Sequence, residues 1–184
     1  MRLRRATEAD AGPIARVHVL AWQEAYRGIL PDEFLASLSL ERRKELWARH
    51  LADPGLAPGM FVVAAEEGEI VGFASAGPAR QEGLDFDGEV YAIYLLAAYQ
   101  RKGLGRGLFH AAANSLGQLA LNSMMLCVLK DNPTRGFYDH LGGHVFREQP
   151  VEIGSNEYFE VAYGWPELTP ILRPAARIGQ SPPA

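Results

Sequence analysis

A glycine-rich turn, Tyr99-Gln100-Arg101-Lys102-Gly103-Leu104-Gly105-Arg106-Gly107-Leu108, lies between a predicted strand and a predicted helix. At the start of a helix several backbone N–H groups have no intrahelical acceptor, and the helix dipole favours negative charge there. Glycines let a phosphate approach this backbone, and Arg101, Lys102 and Arg106 add positive charge at the same rim. The turn is therefore interpreted as a phosphate or pyrophosphate site.

Two common phosphate-binding loops do not match this turn. A P-loop requires Gly-Lys followed by Ser or Thr, whereas here Gly105 is followed by Arg106. A dinucleotide-binding fingerprint requires its third glycine at the position of Leu108. Asp131, at the end of the next predicted strand, is the one feature that favours a dinucleotide, which stays a minor alternative.

The elements around the turn alternate between the two hydrophobic periodicities of strands and helices. The predicted order is strand 2–6, a helix from the Thr7 cap to near Gly28, short helix at Pro31-Asp32, helix Leu40 to Leu51, strands Met60 to Ala65, Ile70 to Ala76 and Glu89 to Leu96, helix Leu104 to Leu119, strand Met124 to Leu129, short helix from Pro133, and strands His144 to Arg147 and Glu157 to Trp165. This order predicts an α/β or α+β fold with a right-handed strand–helix–strand crossover at its centre.

Length and composition favour one soluble domain. The chain has 184 residues, 48% of them hydrophobic, and a net charge of -4, which disfavours binding to nucleic acid or an anionic membrane. Its single cysteine, Cys127, and the lack of an apolar leader predict a cytoplasmic location. Residues 1–165 are predicted to form the domain, and the proline-containing residues 166–184 a loosely held tail.

The turn and its surroundings resemble the GNAT N-acetyltransferase superfamily. Gln100 to Gly105 matches the Gln/Arg-x-x-Gly-x-Gly/Ala signature, and the block from Asn132 to Tyr138 is followed by Leu141-Gly142 as in that family. The resemblance implies a central mixed, V-splayed sheet of about seven strands flanked by helices. It also implies acetyl-CoA as the cofactor and co-substrate.

The same resemblance assigns cofactor contacts to residues of this chain. The backbone of the turn would bind the pyrophosphate, the backbones of Leu95 and Leu96 would bond the pantetheine arm, and Asn132 would contact the pantetheine. The cofactor-binding residues so implied are Leu95, Leu96, Gln100, Arg101, Lys102, Gly103, Leu104, Gly105, Arg106 and Asn132.

Two residues are candidates for proton transfer during acetylation of an amine. The resemblance implies that the Tyr138 hydroxyl protonates the departing thiolate, and a phenol with a pKa of about 10 can do so without much mismatch. Glu89, at the start of the central strand, is the candidate general base that removes a proton from the ammonium. The alternative for Glu89 is a role in substrate binding or at the strand end.

The acceptor is predicted to be a small amine or a peptide amine. In the superfamily the first helices and the loop before the central strand shape the acceptor pocket, which implies Trp22 and Tyr26 on one side. The segment from Gln81 to Glu89 supplies Glu82, Asp85 and Asp87, whose negative charge would attract a cationic amine; a solvated surface loop is the alternative.

Several further expectations accompany this one. The histidines show no metal-ligand spacing, so no metal is predicted. A sheet edge and a terminal hairpin make a homodimer plausible. The alternative functions are a non-catalytic acyl-CoA-binding or sensing module on the same fold and an acetyltransferase acting on aminoacyl-tRNA.

Overall fold

The computed structural model describes residues 1–53, 55, 58–65, 67–80 and 85–172. These residues form seven strands and five α-helices. In chain order they are β1 Arg2–Arg5, α1 Ala11–Ala25, α2 Asp32–Ala36, α3 Leu40–Ala52, β2 Gly59–Ala64, β3 Ile70–Pro78, β4 Gly88–Leu95, α4 Leu104–Gln118, β5 Met124–Leu129, α5 Arg135–His140, β6 His144–Ile153 and β7 Asn156–Trp165.

The strands form one mixed sheet with the order β1-β2-β3-β4-β5-β7-β6. Neighbouring strands are antiparallel, except β4 and β5, which are parallel and are connected through α4. A parallel connection needs a crossover, and α4 supplies it. The predicted α/β class and the mixed seven-stranded sheet flanked by helices are confirmed.

Helices cover both faces of the central strands, which explains why β2 and β3 are buried along nearly their whole length. On one face Phe73 of β3 packs against His18 of α1 and Trp47 of α3. On the other face α4 lies close to the sheet, where a Cβ at Gly88 would stand 2.9 Å from Leu116 Cδ1. The strands therefore carry continuous apolar runs instead of alternating ones.

The final hairpin is longer than its sequence pattern predicts. β6 continues from Arg147 to Ile153 through Pro150, which pairs with Phe159 of β7. Because β6 is an edge strand, proline is tolerated there, although it cannot donate a hydrogen bond to a ladder. The predicted strand ended at Arg147 because the residues that follow have a low propensity for strands. Pairing with β7 extends the observed strand to Ile153.

The first residues after β7 pack against the domain. Leu168 is 1% exposed and Ile171 is also buried, and the Leu168 N–H donates to the Asn122 carbonyl over 2.8 Å. The packed part of the chain therefore continues past Trp165 to at least Ile171. The division into a domain and a tail stays a prediction, and residues 173–184 of that tail lie outside the described residues.

Candidate active site

The most prominent opening in the sheet lies between β4 and β5. The two strands pair only at Gly88 with Met124 and at Glu89 with Met125. Beyond these two pairs, both strands continue without further pairing between them in the described chain. A cavity occupies the space between them and is lined from both strands. We call this space the splayed gap; its walls include Val90 to Leu95, Leu126 to Val128, Tyr26, Gln100, Asn132, Thr134 and Tyr138.

The unpaired side of β4 presents backbone groups to the splayed gap. The Leu96 N–H donates to the Val71 carbonyl of β3 over 3.0 Å. Since residues of an antiparallel pair alternate between bonding the neighbour and facing away, Leu95 and Ile93 direct their N–H and C=O groups towards the gap. A chain of amides such as pantetheine could bond there in the manner of a strand.

Leu96 has a different backbone environment from Leu95, and its contact with the pantetheine stays a prediction. Its N–H is bonded to Val71, and its carbonyl accepts from the Tyr99 N–H over 2.9 Å. Both backbone groups are thus engaged within the protein. Ile93, two residues before Leu95, lies on the gap side of β4 and was not predicted as a cofactor contact. The two-residue alternation of a strand is the signal that could have identified it.

The glycine-rich turn has the backbone conformation that an anion site requires. Arg101 and Gly103 have φ angles of 61° and 79°, in the left-handed region, and α4 begins immediately afterwards. The first α4 bond within this turn joins the Gly107 N–H to the Gly103 carbonyl. Among the described residues no backbone acceptor is found for the N–H groups from Arg101 to Arg106.

Two side chains of the turn hydrogen-bond to nearby carbonyl groups, and two of its arginine side chains are exposed to solvent. Gln100 Nε2 donates to the Leu95 carbonyl over 3.0 Å, and Lys102 Nζ donates to the Ala98 carbonyl over 3.1 Å. Arg101 and Arg106 are exposed. Positively charged side chains therefore accompany N–H groups that have no backbone acceptor among the described residues, and pyrophosphate binding here stays a prediction.

Asn132 and Tyr138 both reach the splayed gap from the segment after β5. Asn132 is buried, and its Oδ1 accepts from the N–H and the hydroxyl of Thr134 over 2.8 and 2.7 Å. These bonds fix the carboxamide at the start of α5.

Tyr138 is buried in α5 with its ring against Phe137 and Tyr163. Burial, followed by the proximity of Tyr26 and Tyr163, raises the pKa of Tyr138 well above that of an ordinary phenol. The hydroxyl therefore stays protonated at neutral pH. It can serve as a proton donor.

Glu89 has a different environment from the one expected of a general base. Its buried carboxylate accepts from the Arg80 N–H over 3.0 Å and from Arg80 Nε over 3.1 Å, and Arg80 Nη2 completes an ion pair. Arg80 in turn stacks over the Tyr91 ring at 4.3 Å. Because taking a proton would disrupt this pair, the geometry argues for the alternative role, at the strand end.

Cys127 lines the splayed gap but is not an activated nucleophile. Burial, together with the charges of Glu160 and Glu89, raises its thiol pKa to about 12. A thiol of this kind is almost entirely protonated at neutral pH and is a poor attacking group.

The predicted acceptor residues divide into two groups. Tyr26 lines the gap, and Trp22 contacts Tyr26 edge-on with ring centroids 4.9 Å apart. In the acidic loop, the Asp87 carboxylate accepts from the Asn122 N–H over 3.0 Å, and Asp85 is not among the described residues that line the gap, so the role of this loop stays a prediction. Gln81 to Leu84, including Glu82, lies outside the described residues.

A gap between splayed parallel strands, bordered by a glycine-rich turn, is the arrangement that the sequence resemblance implied. The model of the acetyltransferase (GNAT) family matches residues 19–142, which include β4, the turn, α4 and α5. The chain belongs to the GNAT family. The predicted enzyme class, acetyltransferase, is thereby confirmed, and acetyl-CoA is the donor expected of the family.

Two curated relatives support this membership. The GNAT chain is 39% identical over 168 residues to the uncharacterized N-acetyltransferase YuaI of Bacillus subtilis, covering 91% of this chain and 94% of the relative. It is 27% identical over 159 residues to a probable N-acetyltransferase of Mycobacterium tuberculosis, covering 82% and 86% of the two chains.

Solved structures share the fold. The PaiA N-acetyltransferase of Thermoplasma acidophilum, in complex with coenzyme A, has a TM-score of 0.70 and 20% identity, over 89% of this chain and 98% of its own. YncA of Salmonella typhimurium, with acetyl-CoA, has a TM-score of 0.65 and 22% identity, over 96% and 98%.

The described residues contain no group of three or more His, Cys, Asp and Glu side chains that could hold a metal ion. None of their helices is long and apolar enough to cross a membrane.

Proposed function

We propose that this GNAT protein transfers the acetyl group of acetyl-CoA directly to a primary amine, either a small amine or a peptide amine. The observation that carries the proposal is the splayed gap, because the unpaired part of β4, Tyr138 and Gln100, which precedes the glycines of the turn, all line it. Direct attack is favoured over an acetyl-enzyme because the thiol in the gap, Cys127, has a pKa of about 12.

The residues of the site suit the donor. The backbone N–H groups from Arg101 to Arg106 would hold the pyrophosphate, with Arg101, Lys102 and Arg106 around it. Leu95 and Ile93 would bond the pantetheine amides, and Asn132 would contact the same arm. When bound, acetyl-CoA supplies a thioester, whose carbonyl carbon accepts the amine.

Tyr138 is proposed to protonate the departing sulfur. A phenol whose pKa is raised by burial is fully protonated before the reaction, and a thiolate in the same apolar gap is a strong base for its proton. Glu89 is proposed to hold Arg80 at the start of β4, which fixes the end of the gap where pairing stops.

The acceptor is proposed to enter beside Tyr26 and Trp22. Trp22 belongs to α1 and Tyr26 follows it directly; Tyr26 lines the gap and Trp22 packs against it. We also propose that the protein acts in the cytoplasm, without nucleic acid or membrane, and that a homodimer can form at the β6 edge of the sheet.

An amine-panel assay tests the proposed function. Acetyl-CoA is incubated with the protein and, in turn, putrescine, phenethylamine, an alanine-terminated peptide and a lysine-containing peptide, and the free thiol released is followed with time. Thiol release that requires one class of amine and equals the acetylated amine formed is the expected result. Tight acetyl-CoA binding without amine-dependent release would instead support a sensing module.

A further inference from the structure

Glu160 of β7 lies on the same face of the sheet as the acceptor side of the splayed gap. It pairs in register with Leu129, whose side chain packs with Tyr26, and it is diagonal to Cys127, since Cys127 pairs with Ala162. Diagonal residues on one face of an antiparallel pair are within side-chain reach. Tyr26 and Cys127 both line the gap. The Glu160 carboxylate lies beside this lining, within hydrogen-bond reach of the Cys127 thiol and close enough to Tyr26 for its charge to act on the phenol.

The Glu160 carboxylate is half-buried and lacks a cationic partner among the described residues. Its hydrogen-bond partners are neutral: Gln149 Nε2 donates to Oε1 over 2.7 Å, and the Cys127 thiol is within hydrogen-bond reach. Two other glutamates of the sheet form ion pairs: Glu89 with Arg80, and Glu148 with Lys130. Glu160, beside the gap lining, has no such pair among the described residues, so its charge is available to a cationic ligand.

The groups around Glu160 come from four elements. Tyr26 faces it from the C-cap of α1, Cys127 from β5 and Gln149 from β6, while Arg147 of β6 shares its face of the sheet without forming an ion pair. The Arg80–Glu89 pair acts on Cys127 from β4. The negative charge of Glu160 contributes to the raised pKa values of both Tyr26 and Cys127, as expected for an uncompensated carboxylate in a semi-enclosed space.

We propose that Glu160 binds the ammonium group of the acceptor and accepts its proton, an inference that rests on the proposed acetyl transfer. The acceptor class is thus a cationic primary amine held between Glu160 and the aromatic rings of Trp22 and Tyr26. Glu160 takes one proton from the ammonium and passes it to solvent, and the freed nitrogen lone pair forms the bond to the acetyl carbon. The C–S bond breaks, Tyr138 protonates the sulfur, and the second nitrogen proton restores Tyr138.

The substitution Glu160→Gln tests this assignment, because it removes the charge and keeps an oxygen to accept from Gln149. The matched control is Glu157→Gln, an exposed glutamate of the same strand. With the amine that the wild type acetylates, Glu160→Gln is expected to raise the acceptor KM about tenfold or more, as for loss of a charge-assisted hydrogen bond. The KM for acetyl-CoA is expected to stay within about twofold, and the control is expected to leave both constants unchanged.

A second readout reports the position of Glu160 independently of the acceptor. Loss of the Glu160 charge lowers the pKa of Cys127. Alkylation of Cys127 by iodoacetamide at fixed pH is therefore expected to be faster in Glu160→Gln than in the wild type, and unchanged in Glu157→Gln. The same measurement reports whether the variant is folded, because in an unfolded protein Cys127 would react as fast as it does in the chain unfolded by urea.

The outcomes separate the two proposals. If the wild type releases thiol with none of the amines, the proposed function fails and the role of Glu160 fails with it. If the wild type acetylates an amine while Glu160→Gln keeps the wild-type acceptor KM and kcat, the role of Glu160 alone is overturned.

Discussion

Burial sets the protonation state of individual side chains around the splayed gap. Tyr138 and Cys127 have raised pKa values and His18 a lowered one, so all three are neutral at pH 7. A neutral phenol supports proton donation to sulfur, and a neutral thiol does not attack the donor. Desolvation therefore keeps the Tyr138 hydroxyl protonated, as a proton donor must be, and keeps the Cys127 thiol from acting as a nucleophile.

His18 makes folding stability depend on pH. Burial, and secondarily the charge of Arg43, lowers its pKa from 6.5 to about 3, and its Nδ1 accepts from Trp47 Nε1 over 3.1 Å. A group with a depressed folded-state pKa contributes stability above pH 6.5, and this contribution is lost as the pH falls towards 3. The loss is about 1.4 kcal/mol for each pH unit below 6.5, or about 2 kcal/mol at pH 5.

Urea unfolding at pH 7.5 and pH 5 checks this prediction. The wild type and the control His144→Gln, which alters an exposed histidine, are expected to lose about 2 kcal/mol between the two pH values. His18→Gln is expected to be less stable at pH 7.5 but to lose much less on acidification. An equal loss in all three proteins would show that His18 titrates normally.

Single residues were also where sequence reasoning failed. Glu89 looked available because its partner, Arg80, is a surface residue with no pattern that points to it. The hydrogen bond from the Asn122 N–H to Asp87, 35 positions away, was likewise not predicted. Ion pairs and side-chain bonds between distant positions leave no periodic trace in a sequence.

At the level of elements, the start of α4 decides whether the donor can bind. Gly103 has a φ of 79°, a conformation that residues with a Cβ rarely adopt, and no atom stands within 4 Å of a Cβ built there. The penalty for a side chain at Gly103 is therefore backbone strain and not steric collision.

The substitution Gly103→Val is expected to distort the turn and lower stability by about 1–3 kcal/mol. The KM for acetyl-CoA is expected to rise about tenfold or more, since several N–H groups lose their alignment together. The control is Gly12→Ala, in the first turn of α1, where the Cβ position is equally open. It is expected to leave the KM for acetyl-CoA unchanged and not to lower stability. An unaltered KM in Gly103→Val would mean that this turn does not hold the donor.

Elements were predicted well where one local pattern decides them. The glycine-rich turn, the apolar run of β4 and the helical stripe of α4 each lie within about one element length, and all three are found. The direction of the Leu96 backbone groups and the full length of β6 were not predicted, for a shared reason. The direction of a backbone group and the length of an edge strand depend on the neighbouring strand, here β3 and β7.

At the scale of the whole molecule, the sheet joins two halves that hardly pair with each other. β1 to β4 and β5 to β7 meet at two residue pairs, and the splayed gap is the consequence. The segment after β7 adds to the packing of the second half, because Leu168 bonds the turn between α4 and β5.

Leu168→Ala is expected to destabilise the protein by about 2–4 kcal/mol, as for other leucines removed from a core. Leu119→Ala, at a leucine that is 44% exposed, is the control and is expected to change stability by about 0.5 kcal/mol or less. Urea unfolding measures both. Equal, small losses would show that residues 166–172 do not pack on the domain in solution.

Acetyl transfer within the splayed gap is tested most directly by the steady-state kinetics of Tyr138→Phe. With acetyl-CoA and an accepted amine, kcat is predicted to fall about 100-fold, because the general acid is lost, while the KM for acetyl-CoA stays within about twofold. Tyr158→Phe, at a half-buried tyrosine outside the gap lining, serves as the control. A Tyr138→Phe protein with wild-type kcat would contradict proton donation from α5 and the placement of the reaction in the gap.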